Sequence, residues 1–134
     1  MTGKPFDCVV LADRHHGLAE GVRGLLETMF KTVVMVADET SLLESVDRLR
    51  PQMAVVDMSL GRESGLHWLR ELHDRCPLVK LIVLSVHDEP TVRRAAAEAG
   101  ADGFVLKRAI GTDLLRTAES LLAGPAGAAP TGGV

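Results

Sequence analysis

The chain has 134 residues, 46% of them hydrophobic, enough for one domain with a core and too few for two ordinary ones. A net charge of -3 supplies no basic stripe for nucleic-acid binding and no acidic excess that would keep the chain disordered. No apolar run reaches the ~20 residues of a membrane helix, and the opening MTGKPFD lacks a secretion pattern, so the reading is a cytoplasmic protein with no membrane partner.

Periodicity then alternates along the chain. DCVVLAD is a short apolar, β-branched run ending in an acid, and Leu18, Val22, Leu25, Leu26 and Met29 after it share a helical face. TVVMVAD repeats the pattern and leads into Leu42, Leu43, Val46 and Leu49, with Asp38 or Thr40 available as cap and Pro51 beyond the end. QMAVVDMSL is a third strand, followed by a helical face of Leu66, Trp68, Leu69 and Leu72 that Pro77 terminates. KLIVLSVHDE is a fourth strand, and Pro90 sits in the first turn of a helix carrying Val92, Ala95, Ala96 and Ala99. After Gly100, AGADGFVLKR holds the fifth strand, and Leu114, Leu115, Ala118, Leu121 and Leu122 make the last helix.

The strands are continuous apolar runs rather than alternating ones, so both faces of the sheet are covered, as in a parallel α/β sheet with helices on either side. The domain spans residues 5–123. From Gly124 the chain reads GPAGAAPTGGV, whose composition predicts a flexible tail or inter-domain linker over 124–134. Cys8 and Cys76 have no metal-type spacing and are read as free thiols. None of the five histidines falls into a metal-binding motif, and His15 and His16, adjacent at a helix start, are assigned no metal role.

In a parallel sheet all strands open their carboxyl ends on one side, where Asp13, Asp57, Ser85 and Lys107 converge. An acid at a strand end is usually a cap, and a lone lysine is usually surface. Together, however, two carboxylates, a hydroxyl and an ammonium suit chemistry at phosphorus: a carboxylate as nucleophile, the others to meet the charged oxygens it acquires.

VVLAD, AVVDMSL with SGL behind it, LIVLSVHDE and EAGADGFVLK resemble the receiver domains of two-component response regulators, from about Phe6 to Ala123. LSVHDE and GFVLKRA are most similar to the subfamily with a C-terminal LuxR/NarL-type helix-turn-helix domain. The resemblance implies an open five-stranded, flavodoxin-like (β/α)5 sheet of order 2-1-3-4-5. It makes Asp57 the phosphoacceptor, Lys107 the contact to phosphoryl oxygens, and Ser85 with Phe104 the switch pair. Asp13, Asp57 and the Ser59 backbone carbonyl would hold Mg2+, and Gly65 with Leu66 would form the turn into the third helix. The implied partners are a sensor histidine kinase or phosphotransfer protein, a second copy docking through the fourth helix, fifth strand and fifth helix, and DNA only through a separate effector domain.

Receivers usually carry two adjacent acids after the first strand, whereas here Arg14 follows Asp13. Arg14 either points to solvent while water completes a weakened magnesium shell, or folds inward to pair with Asp57 or Asp13 and does part of the ion's electrostatic work. A third reading is a pseudo-receiver that binds partners without phosphate. A phosphatase of the haloacid-dehalogenase type is the enzyme-class rival, but neither ADRHH nor VVDMSL has a second acid two residues on. A flavodoxin-like cofactor carrier would need a run of Ser, Thr and Gly to cradle a phosphate, which the first strand-helix turn lacks. The residue after Lys107, often proline in receivers, is Arg108.

Overall fold

The computed structural model describes residues 4–61 and 65–132. The serine of SGL and the last two residues of the predicted tail lie outside them. The elements alternate as β1 (Phe6–Ala12), α1 (His16–Leu26), β2 (Phe30–Val36), α2 (Glu39–Leu49), β3 (Met53–Asp57), α3 (His67–Arg75), β4 (Lys80–Ser85), α4 (Pro90–Glu98), β5 (Gly103–Leu106) and α5 (Ile110–Gly132). All strand pairs are parallel and the order is β2-β1-β3-β4-β5, the flavodoxin-like order that the resemblance implies.

Alternation along the strands divides the core into two layers. Val10, Ala12, Ala54, Val56, Leu81 and Val83 face α2, α3 and α4, where Leu42, Val46, Trp68, Leu69, Leu72 and Ala96 cover them. Val9, Leu11, Val55, Ile82, Leu84 and Val105 point the other way, onto Ala19, Val22, Leu26, Leu114 and Ala118 of α1 and α5. The central strands are therefore buried on both faces, as their unbroken apolar runs require.

Local chemistry fixes the element ends. The Asp38 side chain accepts from Ser41 N at 2.7 Å and so caps α2, with Thr40 inside the helix. Gly100, at φ 116, ends α4 in a conformation costly for any other residue, while His73 packs against the space a Cβ would take. Two predicted core positions, Leu18 and Leu49, are instead exposed at 38% each, because α1 turns Ala19 inward and α2 turns Ser45.

The backbone of α5 stays helical to Gly132, through nine residues read from composition as an irregular tail. A helix already formed needs no new nucleus to lengthen, and α5 runs on past Gly124, Pro125, Gly127 and Pro130, which composition reads as breakers. Among the described residues no helix is long and apolar enough to cross a membrane.

Candidate functional site

Four strands deliver the site. β1 ends one residue before Asp13, β3 ends on Asp57, β4 ends on Ser85, and β5 runs into Lys107, which opens a short 3-10 turn to Ala109. Parallel pairing sets Ala12 beside Val56 and Asp57 beside Leu84, so these groups meet at one edge. Asp13, Asp57 and Ser85 are buried there, at 4%, 2% and 2% exposure. A cavity of about 380 Å³ opens over Asp57 and Ser85, lined also by His15, Ser59, His87 and Lys107 among others.

Asp57 is fully engaged. Its Oδ1 lies 3.0 Å from Lys107 Nζ and accepts from Ser59 N at 3.3 Å, while its Oδ2 accepts from Ser59 Oγ at 2.9 Å. Burial pushes this carboxyl up, but the bonds from Lys107 and Ser59 and the Lys107 charge outweigh it, so its pKa lies below the ordinary value. The group is an anion at neutral pH and a ready nucleophile.

Ser85 lines the cavity, but its hydroxyl donates to His87 O at 3.0 Å and accepts from His87 N at 2.9 Å. Phe104 is half-buried on β5 under Arg93, whose Cζ stands 4.6 Å from the ring centroid. Asp88 holds that guanidinium at 3.0 Å. The Lys107–Arg108 peptide is trans, like every other among the described residues.

Arg14 goes neither to solvent nor into the acidic pocket. Its guanidinium donates to the carbonyl of Leu60, tying the β1–α1 loop to the β3–α3 loop, beside a surface depression lined by Asp38, Glu39 and Thr40. Both predicted placements of its side chain are thus corrected: the Leu60 carbonyl is a buried acceptor within reach, whereas Lys107 already holds Asp57.

The imidazole that enters the pocket is His15, a residue sequence reasoning set aside. The Asp13 carboxylate accepts from His15 N at 2.8 Å, a local turn that swings the ring back over the site. Nδ1 then stands 3.2 Å from Asp13 Oδ1 and 3.6 Å from Asp57 Oδ2. The signal available in sequence was the i, i+2 spacing of Asp13 and His15, which permits this turn. Among the described residues the buried Asp13 Oδ2 has no hydrogen-bond partner, as befits an oxygen meant for a cation. The ligand atoms of Asp13, His15 and Asp57 lie within 4.8 Å of one another.

The response regulator receiver domain family matches residues 9–119. The chain belongs to this family. The receiver is similar to the transcriptional regulatory protein DegU of Brevibacillus brevis, 32% identical over 74% of this chain and 43% of that protein. Its fold is similar to a LuxR-family response regulator from Aurantimonas sp. SI85-9A1, at TM-score 0.80 and 26% identity over 87% of this chain and 85% of that one. It is also similar to the isolated REC domain of RcsB from Salmonella enterica serovar Typhimurium, determined with the phosphomimetic BeF3- (TM-score 0.79, 25% identity, 90% and 91% covered). The receiver spans about half the length of the curated relatives it matches. Such domains are signalling rather than catalytic proteins and generally bind Mg2+. The buried, unpartnered Asp13 oxygen beside Asp57 fits a divalent ion.

Proposed function

We propose that this receiver is a phosphorylation-controlled switch that accepts a phosphoryl group on Asp57 from a histidine kinase or phosphotransfer protein. The observation that carries this reading is the buried, ionised Asp57, bridged by Lys107 at 3.0 Å under a cavity large enough for a phosphoryl group. An Asp57 oxygen attacks phosphorus, the phosphorus–nitrogen bond of the phosphohistidine breaks, and its electron pair returns to the departing imidazole. The chain supplies position and charge, which phosphoryl transfer chiefly needs. Asp13, Asp57 and the Ser59 carbonyl would hold Mg2+, which when bound adds positive charge beside the phosphoryl oxygens.

Lys107 stays with the phosphoryl oxygens once Asp57 carries them. The new dianion draws the Ser85 hydroxyl off His87, and Phe104 moves toward the space this vacates. The surface of α4, β5 and α5 changes in consequence. Within α4, which carries three alanines, only Ala96 is buried, which suits an element that shifts. A second copy docks on that surface, and DNA is reached through an effector domain of the whole, cytoplasmic protein.

The test is intact mass after incubation with acetyl phosphate and Mg2+, beside a chelated control and Asp57→Ala. A phosphoryl adduct that requires Mg2+ and vanishes in the variant is expected. No adduct would overturn the reading in favour of the phosphate-independent interaction module that the missing second acid raises.

A further inference from the structure

We propose that the pocket of Asp13, His15 and Asp57 is a mixed nitrogen–oxygen site that takes a divalent transition ion of the Zn2+ or Co2+ class, with His15 Nδ1 as the third ligand. This deepens the phosphoryl-transfer reading of the same pocket and rests on it only in requiring an accessible Asp57 carboxylate.

The geometry comes first. Ions of this class hold imidazole nitrogen and carboxylate oxygen at about 2.0–2.2 Å, so two ligands at tetrahedral or octahedral angles stand about 3.0–3.5 Å apart. His15 Nδ1 is 3.2 Å from Asp13 Oδ1 and 3.6 Å from Asp57 Oδ2, close to the edges of such a shell. Among the described residues nothing hydrogen-bonds the buried Asp13 Oδ2, so this carboxylate has an unused acceptor in an almost solvent-free place. The adjoining cavity of about 380 Å³ has room for water to complete the shell.

The donor set decides the ion. Two carboxylates, with the Lys107 ammonium on Asp57, leave the pocket one net negative charge, and the position that could have added a carboxylate holds Arg14, which is bound to the Leu60 carbonyl. A neutral imidazole adds no charge, which a hard, oxygen-seeking Mg2+ would need, but it adds a nitrogen donor that borderline ions favour. The backbone N–H of His15 on Asp13 holds the residue at the rim, and its Nδ1 hydrogen-bonds Asp13 Oδ1 at 3.2 Å, a bond that the ion would replace.

Calorimetric titration of the chain with zinc, cobalt and magnesium chlorides, without a phosphodonor, tests the proposal against His15→Ala and a His16→Ala control. Nitrogen–oxygen sites in general bind zinc more tightly than magnesium, so the deciding quantity is the change on substitution. His15→Ala is expected to weaken zinc and cobalt at least tenfold, to leave magnesium within about threefold, and to abolish the visible cobalt spectrum of a nitrogen-ligated ion. His16→Ala should behave as the parent. The His15 side chain is 60% exposed, so its removal leaves the core intact, which near-ultraviolet dichroism of the buried Trp68 verifies. Zinc affinity unchanged in His15→Ala, or equal losses of zinc and magnesium, would overturn the inference. A chain that binds zinc through His15 yet takes no phosphoryl group from acetyl phosphate keeps this inference and loses the phosphoacceptor reading; the reverse pattern does the opposite.

Discussion

Lys107 Nζ lies 3.0 Å from Asp57 Oδ1, with the lysine side chain 13% exposed and the aspartate 2%. At that burial each charge depends on the other, and the net result is an Asp57 carboxyl below its ordinary value. Lys107→Met keeps the methylene packing and removes the ammonium, so burial gains ground and the Asp57 carboxyl should titrate higher. A carbon-13 titration of the aspartate carboxyls measures this; an unmoved Asp57 midpoint would sink the argument. The sign also predicts pH dependence. A folded value below the unfolded one stabilises fully above the ordinary carboxylate range, and the benefit is lost as pH falls through the folded value. The urea midpoints of parent and variant should therefore differ at neutral pH and converge in acid.

Ser85 contributes differently, because both its hydroxyl bonds go to the His87 backbone and hold the loop after β4. Ser85→Ala should lower unfolding free energy by about 1 kcal/mol, the net worth of such bonds. Asp57 keeps its bonds to Lys107 and Ser59 in this variant, so acetyl phosphate should still load it. What should disappear is the response of the loop: amide resonances from Val86 to Glu89 shift on phosphorylation in the parent and stay put in the variant. A full shift in Ser85→Ala would remove the hydroxyl from the switch.

Gly100 couples α4 to α3 through shape alone. A Cβ built there would lie 2.6 Å from His73 Cβ, and the backbone φ of 116 is already strained for any side chain. Gly100→Ala should cost about 3 kcal/mol, combining left-handed strain with overpacking. Pairing it with His73→Ala removes the ring contacts, the nearest at 2.7 Å to Cγ, but keeps the Cβ contact and the strain, so urea denaturation should show recovery of only part of the loss. Complete recovery would mean that neither φ nor the Cβ contact carries a cost here.

These cases also mark how far the sequence could be read. Asp13, Asp57, Ser85 and Lys107 were legible as one cluster because each follows an apolar run and parallel strands share an edge. Helix faces were legible to within one residue: Ala19 takes the inward position that periodicity gave to the larger Leu18. Arg14 and His15 were not legible, since one is placed by a carbonyl 46 residues away and the other by a two-residue turn that periodicity does not register. The helical backbone beyond Ala123 was not legible either, because Gly124, Pro125, Gly127 and Pro130 read as helix breakers.

The Arg14–Leu60 bond separates two ideas about the missing acid. If the guanidinium stays on the Leu60 carbonyl in solution, it neither repels nor replaces a cation at Asp57, since its Nη2 is held by the backbone while Lys107 holds Asp57. Arg14→Ala should then cost about 1 kcal/mol of stability and hasten amide exchange around Leu60, while magnesium affinity changes less than about threefold. Arg14→Asp is the sharper variant. It restores a second acid beside Asp13 and should tighten magnesium binding by at least tenfold, since a hard ion gains most from an added carboxylate. Isothermal titration of parent, Arg14→Ala and Arg14→Asp decides the matter. If Arg14→Ala alone tightens magnesium tenfold, the guanidinium competes for the acidic pocket in solution, and metal-poor phosphorylation becomes the reading to test.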